Sequence, residues 1–197
     1  IGANVAIVLE RAGFNNFTLV DYDVVDESNL IRQFPYNCND LGKLKTEIMK
    51  EKLTNSLVKC KNLKIIKEED IINEIKLADF VLCTVDKPQR IIRRLINKLC
   101  VKNGKPVLFC GFSEYVAMIG PFVEPKTTAC LSCIEKQSFE VPLNNVEPVP
   151  SFGPLCLLIS SLVSNEIINY FAKYKETSLV GKTLMFNLFT YQAEIIN

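Results

Sequence analysis

The chain has 197 residues, of which 48% are hydrophobic and 23% charged, and its formal net charge is +1. This composition provides for a sizeable core, excludes large-scale disorder, and gives no electrostatic reason to expect a nucleic-acid or membrane partner. The sequence has no histidine, which excludes Ser-His-Asp triads, His-ligated zinc and imidazole general bases within the chain, and its eight cysteines have the spacing of a reduced, cytoplasmic protein rather than of a disulfide framework.

The first half of the sequence predicts alternating helices and strands. An amphipathic helix is expected over about residues 2–12. Asp40 is expected to cap a second helix that runs to about Asn55. Strands are predicted at Phe17–Asp21, Leu63–Lys67 and Asp79–Thr84.

The second half predicts a helix from Pro88 to about Val101, because proline is tolerated in a first helical turn. Residues 134–153 are polar and rich in proline, which predicts an extended crossing segment. Leu155–Tyr174 predicts an apolar helix whose uncharged part is too short to span a bilayer, which favours burial in the core or in a dimer interface. Further strands are predicted at Pro106–Cys110, Tyr115–Val123, Thr183–Phe189 and Thr190–Ile196.

This order of elements predicts an α/β fold with a Rossmann-like, doubly wound, mostly parallel sheet and an antiparallel C-terminal extension. We expect residues 1–197 to form a single domain. A nucleotide-binding fold of this kind has a strand and a glycine loop ahead of its first helix, so both are expected before Gly2.

Gly2 and Asp21 have the spacing of a nucleotide site. Gly2 stands before a helix, as the last glycine of a phosphate-binding loop does, although an ordinary turn glycine has the same signature. Asp21 ends an apolar strand about twenty residues later, where an acid binds a ribose hydroxyl. The alternative is a solvated acid at a strand end, which is our interpretation of Asp23 and Asp26.

Asn29, Arg32 and Lys45 favour ATP over a dinucleotide. A dehydrogenase has no special use for cations here, whereas an enzyme that uses ATP must neutralise a triphosphate. Arg32 can bind phosphate oxygens in a bidentate manner, and Lys45 can act as a point charge. Each of these residues taken alone is equally compatible with a solvated surface position.

Asp86 follows the strand predicted at Asp79–Thr84. Ligands bind at the carboxyl edge of such sheets, where a carboxylate can hold Mg²⁺ against phosphates. The alternative role is a helix N-cap beside Pro88.

Cys130 and Cys133 form a CxxC pair, which is half of a four-cysteine zinc site. A redox role would need a CxxC in a thioredoxin-like unit, which this context does not match. The chain contains no second CxxC, so the other ligands are expected beyond Asn197 or are absent.

These residues together resemble the ThiF/MoeB/HesA superfamily of ubiquitin-activating-enzyme-like adenylating enzymes. The resemblance covers essentially the whole chain, and its most specific strings are Ser28-Asn-Leu-Ile-Arg-Gln33 and Gly42-Lys-Leu-Lys45. Three later segments look most like the MccB-like, peptide-modifying branch: Gly120–Pro125, Thr128–Cys133 and Ser151–Pro154.

The resemblance implies a role for each candidate residue. Asp21 would bind the ATP ribose, Asp86 would coordinate Mg²⁺, and the phosphates would be contacted by Asn29, Arg32 and Lys45. It further implies a homodimer, a structural zinc site, and attack of the C-terminal carboxylate of a peptide or ubiquitin-like protein on the α-phosphorus of ATP, with release of pyrophosphate.

The chain departs from the family pattern at two places. The usual Asp-Asn pair is Asp86-Lys87 here, and no cysteine occurs between Cys133 and Cys156, so adenylation without a covalent cysteine step is favoured. The alternatives are a non-catalytic scaffold that presents a peptide to a partner enzyme and, with less support, a tRNA-modifying dehydratase of the same superfamily or a dinucleotide oxidoreductase.

Overall fold

The computed structural model describes residues 1–85, 89–113, 115–137, 152–173 and 179–197. Within these ranges the helices are α1 Gly2–Arg11, α2 Glu27–Leu30, α3 Lys45–Lys52, α4 Ile72–Leu77, α5 Gln89–Lys102, α6 Leu131–Gln137 and α7 Gly153–Ala172. The strands are β1 Asn16–Val20, β2 Leu57–Lys61, β3 Val81–Cys83, β4 Val107–Ser113, β5 Val116–Val123, β6 Thr183–Asn187 and β7 Gln192–Ile196. The chain divides into two compact units, one of residues 1–66 and 152–176 and one of residues 67–151 and 177–197.

The first unit contains a parallel pair of strands, β1 and β2, which runs from Asn16 opposite Leu57 to Val20 opposite Lys61. Helices α1 and α3 and the loop after β1 provide its buried core: Ala6, Val25, Tyr36, Ile48, Met49 and Leu53. Because β1 ends at Val20, the next residue, Asp21, lies at the carboxyl end of the strand.

Helix α7 belongs to the first unit and packs against α1. Its inward positions are apolar or small, including Leu155, Ile159 and Val163, and the ring centroids of Phe14 and Phe171 lie 5.4 Å apart. Among the described residues, α7 is the one helix whose length and composition would also allow it to cross a membrane. Its most apolar window has a mean hydropathy of 1.4 and is 44% buried. The burial against α1 agrees with the core helix expected from the sequence.

The second unit contains a five-stranded sheet in the order β3-β4-β5-β6-β7. Strands β3 and β4 are parallel, and the remaining three pairings are antiparallel. Gly120 in β5 has a φ of +133°, and a Cβ atom there would lie 2.6 Å from the Lys182 carbonyl oxygen. Only glycine therefore permits β5 to approach the start of β6 this closely.

The α/β, Rossmann-like fold class is confirmed, and the antiparallel extension begins at β5. The strand predicted at Leu63–Lys67 is wrong, because the backbone groups that pair with β1 belong to Leu57–Lys61. The predicted Asp40 cap is also wrong. The Asp40 carboxylate instead accepts the Asn37 N–H at 2.9 Å and pairs with Lys52 at 3.2 Å.

The crossing segment predicted over residues 134–153 does not begin as an extended chain. Residues 134–137 belong to α6, and Gly153 already belongs to α7. Residues 138–151 lie outside the described residues. The predicted site residue Asp86 and the predicted helix start at Pro88 also lie outside them. The prediction of a single domain stays a prediction, since the structure separates two compact units without testing it.

Candidate nucleotide site and cysteine pair

Asp21 extends the β1 ladder by one residue and turns the chain out of the sheet. Its backbone N–H donates to the Lys61 carbonyl oxygen at 3.3 Å, and its Oδ1 accepts the Asp23 N–H at 2.9 Å. Burial raises the pKa of the Asp21 carboxyl above its ordinary value, against the lowering effects of the Asp23 N–H and the Lys45 charge. The structure therefore places the predicted ribose acid at the strand end, partly desolvated and close to a lysine.

Lys45 is the first residue of α3 and is 9% exposed. Its ammonium donates to Asp23 Oδ2 at 2.9 Å, and its backbone N–H donates to the Asp23 carbonyl oxygen at 3.0 Å. The Tyr36 hydroxyl donates to the Lys45 carbonyl oxygen at 3.2 Å. Burial, together with the negative charges of Asp21 and Asp40, raises the Tyr36 pKa, so this hydroxyl remains a donor at neutral pH. Lys45 is thus fixed next to Asp21 by both its main chain and its side chain.

Asn29 contributes to the start of the short helix α2. Its Oδ1 accepts the Asp26 N–H at 3.2 Å, and the Asp26 carboxylate accepts the Ser28 N–H at 2.9 Å, which is a reciprocal capping arrangement. Hydrogen bonds from Ser28, and then the positive charges of Arg32 and Lys45, lower the pKa of the Asp26 carboxyl despite some desolvation. The structure thus uses the carbonyl oxygen of Asn29 in a helix cap, while Arg32 and Lys45 are close enough to act on the same carboxylate.

Arg32 lies in the turn after α2, and its guanidinium donates to the Ser28 carbonyl oxygen. Asn4, in the first turn of α1 and 5% exposed, holds this turn with two hydrogen bonds. Its Nδ2 donates to the Arg32 carbonyl oxygen at 3.3 Å, and its Oδ1 accepts the Phe34 N–H at 3.2 Å. These contacts bring the Arg32 backbone to the first turn of α1, which begins at Gly2 and whose first N–H groups have no acceptor within the helix.

Gly153 places the start of α7 against the same turn. A Cβ atom at this position would lie 2.5 Å from the Ile31 carbonyl oxygen and 3.5 Å from the Phe34 ring. Any larger residue would displace a backbone atom next to Arg32. The glycine at position 153 is therefore required by the close packing of the start of α7 against the Ile31 backbone in the first unit.

The first unit therefore gathers Gly2, Asp21, Asn29, Arg32 and Lys45 around one loop. Asp86 lies outside the described residues, so its expected position is not part of this geometry. Sequence reasoning missed three residues that fix the site: Asn4, Asp23 and Tyr36. Asp26 is exposed, in agreement with its interpretation as a solvated acid, but its role as the cap of α2 was missed, although the Asp-x-x-Asn spacing of residues 26–29 is itself a cap signal.

In the second unit, Cys130 Sγ and Cys133 Sγ lie 3.6 Å apart. Two thiolates on one tetrahedral zinc ion, each at ~2.3 Å, are separated by ~3.8 Å, so the pair fits one edge of such a site. Burial raises the Cys130 pKa, but hydrogen bonds from the Cys133 N–H, the Asn97 amide and the Ser132 N–H outweigh this and lower it. Within the part of the chain that the structure describes, no group of three or more potential ligands occurs.

Comparison with known proteins identifies the class to which these features belong. Residues 1–197 match the model of the ThiF family, and the chain therefore belongs to that family. The match extends over both compact units.

Among curated proteins, the chain is similar to the adenylyltransferase and sulfurtransferase MOCS3 of Dictyostelium discoideum, at 30% identity over 95% of this chain and 44% of that protein. It is also similar to the molybdopterin-synthase adenylyltransferase of Escherichia coli, at 27% identity over 98% of this chain and 77% of that protein. Among solved structures, E. coli MccB with ATP shares 26% identity and a TM-score of 0.89 over 100% of this chain and 60% of that chain. The chain spans about half the length of the first curated relatives that it matches.

Proposed function

We propose that the chain carries the ATP site of an adenylyltransferase that activates the C-terminal carboxylate of a peptide or small ubiquitin-like protein. Membership of the ThiF family, relatives named as adenylyltransferases, and the likeness to a structure described with ATP support this proposal. The adenylate acceptor of the molybdopterin-synthase relative is a protein by its name, which supports a protein or peptide carboxylate.

The proposed reaction joins two anions, which determines what the site must supply. A carboxylate oxygen attacks the α-phosphorus of ATP, a new O–P bond forms, and the bond to the pyrophosphate leaving group breaks. Because both reactants are negative, the catalysis must come from alignment and charge neutralisation rather than proton transfer. A chain without histidine is compatible with that requirement.

The observation that carries the proposal is the link from Asp21 through Asp23 to Lys45. The Asp23 N–H binds Asp21 Oδ1, and the Asp23 carboxylate binds the Lys45 ammonium, each at 2.9 Å. An acid for the ribose and a cation for the phosphates are thereby held a few ångströms apart. Arg32 and the first turn of α1 from Gly2 supply further positive potential for the triphosphate.

Two metal ions belong to the proposal. Mg²⁺ would be held by Asp86 and would neutralise charge on the phosphates. Zn²⁺ would be held as a structural ion by Cys130 and Cys133 if a second cysteine pair completes the site. We further propose a cytoplasmic homodimer with no nucleic-acid or membrane partner.

The test uses ATP binding first and exchange second. Titration calorimetry with ATP and Mg²⁺ should show Mg²⁺-dependent binding to the wild type, and Arg32→Ala should weaken it. ATP–pyrophosphate exchange stimulated by the carboxylate partner should fall about a hundredfold or more in Arg32→Ala and in Asp86→Ala, which corresponds to ~3 kcal/mol for one transition-state contact. Arg11→Ala, at the exposed end of α1, is the matched control.

A peptide-binding scaffold would give a different result. Such a protein would bind its peptide and show no Mg²⁺-dependent ATP binding. Exchange at the wild-type rate in both Arg32→Ala and Asp86→Ala would refute the assignment of the site while leaving the fold intact.

A further inference from the structure

Glu10, in the last turn of α1, carries a buried carboxylate that the nucleotide site does not use. The residue is 7% exposed, and its buried Oε2 atom has no hydrogen-bond partner among the described residues. Within the same part of the chain, no cation pairs with it. Buried carboxylates are normally paired or fully hydrogen-bonded, because an isolated charge is costly to desolvate. This oxygen is therefore available to a positively charged ligand.

The other oxygen of Glu10 binds the turn between α3 and β2. Oε1 accepts the Asn55 N–H at 3.0 Å and the Ser56 hydroxyl at 2.9 Å. The Ser56 hydroxyl has one proton to donate, and its oxygen also lies 3.4 Å from the Phe14 carbonyl oxygen. Rotation of that proton toward Phe14 leaves Oε1 with a single donor, the Asn55 N–H. The carboxylate can thus release a lone pair to a ligand while the turn keeps its place.

The same turn lines a cleft at the amino ends of β1 and β2. The cleft has a volume of about 390 Å³, and it is lined by Asn15, Asn16, Thr54, Asn55, Ser56 and Leu57. Glu10 lies directly behind this lining, because two of the six residues are hydrogen-bonded to its carboxylate. Asp21, the proposed ribose acid, lies beyond the opposite end of β1, ~17 Å along an extended strand. The cleft is therefore separate from the nucleotide site.

The chemistry of the cleft favours an organic cation over a metal ion. A divalent cation needs several anionic ligands, and among the described residues Glu10 is the only acid hydrogen-bonded to the lining, and no group of three or more potential metal ligands occurs. A volume of this size is typical of a small-molecule site. A guanidinium group is weakly hydrated, and its planar N–H groups match the two oxygens of a carboxylate. The side-chain oxygens of Asn16 and Asn55 accept no hydrogen bond from the described residues and can take further N–H groups.

We propose that this cleft is a second ligand site, in which Glu10 binds the guanidinium group of a small molecule. The ligand donates to Oε2 and, once the Ser56 hydroxyl has turned to Phe14, to Oε1. Thr54 and Asn55 are exposed, so their side chains can move aside to admit the ligand to the buried oxygen. The inference goes beyond adenylation and does not depend on it, because none of these residues belongs to the nucleotide site.

The test is titration calorimetry of the full-length chain with ethylguanidinium, which should show saturable binding to the wild type. Glu10→Gln keeps an oxygen for the Asn55 N–H and the Ser56 hydroxyl but removes the charge, so its affinity should fall about tenfold or more. Ser56→Ala removes the competing donor and should bind at least as tightly as the wild type. The matched control is Glu51→Gln, at an exposed carboxylate of α3, which should bind as the wild type does.

A measurement on the wild type covers the case in which Glu10→Gln does not fold. During titration with ethylguanidinium, the backbone amide signals of Asn55 and Leu57 should shift in the NMR spectrum, because both residues line the cleft. The signals of Asp21 and Lys45 should stay in place. Ethylammonium has the same charge without the planar N–H groups and should bind more weakly.

Four results would overturn the inference. They are a wild-type protein without saturable ethylguanidinium binding, a folded Glu10→Gln variant with wild-type affinity, equal affinity for ethylammonium, and shifts confined to Asp21 and Lys45. Either of the first two would mean that Glu10 only ties the turn to α1. The last would assign the binding to the nucleotide site instead of the cleft.

Discussion

Asp23 binds Lys45 twice, through its carboxylate to the ammonium at 2.9 Å and through its carbonyl oxygen to the backbone N–H at 3.0 Å. The same residue donates its own N–H to Asp21. Asp23 is therefore the connection between the proposed ribose acid and the proposed phosphate lysine. Its side chain is 47% exposed, so the ion pair is accessible to solvent and to an incoming phosphate.

Lys45→Gln should lower ATP–pyrophosphate exchange about a hundredfold without unfolding the protein. The neutral amide cannot replace the charge on the phosphates, and losing one preorganised contact of this type costs ~3 kcal/mol in the transition state. Asp23, half-exposed, remains solvated when its partner is removed. Exchange kinetics and the circular dichroism spectrum measure the two effects.

The control for this change is Lys50→Gln on the exposed side of the same helix. It should leave the exchange rate unchanged. Equal losses in the two variants would mean that Lys45 acts through general surface charge and not through a fixed position.

Asp21→Asn should raise the free energy of unfolding at pH 7 while weakening ATP binding. Burial raises the folded-state pKa of Asp21 above its ordinary value of 3.8, so the ionised carboxylate disfavours the folded state once the pH exceeds that raised pKa. The stability advantage of the variant should shrink as the pH falls toward 3.8 and should vanish well below that value, where the wild-type side chain is protonated in both states. Urea unfolding between pH 4 and 7 is the measurement, and an advantage that grows on acidification would contradict the assignment.

Asn4→Ala should destabilise the protein by about 1–3 kcal/mol, because it leaves the Phe34 N–H without its acceptor in a partly buried place. It should also weaken ATP binding, since the Arg32 backbone loses a donor from α1. Urea unfolding and calorimetry report the two quantities. Asn39→Ala, at an exposed asparagine in a surface turn, should change neither.

Gly153→Ala should cost about 1–3 kcal/mol of stability, because the new Cβ would lie 2.5 Å from the Ile31 carbonyl oxygen and a backbone segment must shift. The shifted segment precedes Arg32, so ATP affinity should fall as well. Ser161→Ala on the exposed face of α7 is the comparison. Wild-type stability and affinity in Gly153→Ala would show that the two segments are not in firm contact.

Sequence analysis located best those helices and strands whose hydrophobic periodicity is contained in the segment itself. The helix after Gly2 and the strand before Asp21 carry their own periodicity and lie close to where they were predicted. The strand at Leu57–Lys61 was missed because none of its positions is fully buried, two of the five are exposed, and two of its five residues are lysines. The position of this strand is determined by its hydrogen bonds to β1, and the pattern of neighbouring residues in the sequence carries no information about those bonds.

The same limit applies to the candidate site. Asp21 could be predicted because a strand end and a spacing identify it, whereas the role of Asp23 depends on a lysine 22 residues away. Asn4 acts on a backbone segment 28 to 30 residues away and has no sequence signal of its own. Asp40 looked like a helix cap because its tertiary partner, Lys52, could not be identified without the structure.

Asn4 also changes the thermodynamics of ligand binding. Ordering one residue's backbone costs about 1–2 kcal/mol of conformational entropy, and at Arg32 and Phe34 that loss occurs during folding instead of when the nucleotide arrives. Nucleotide affinity should therefore include little entropy of loop ordering. Asn4, through two hydrogen bonds to the protein backbone, would then lower the conformational entropy that is lost when the nucleotide binds.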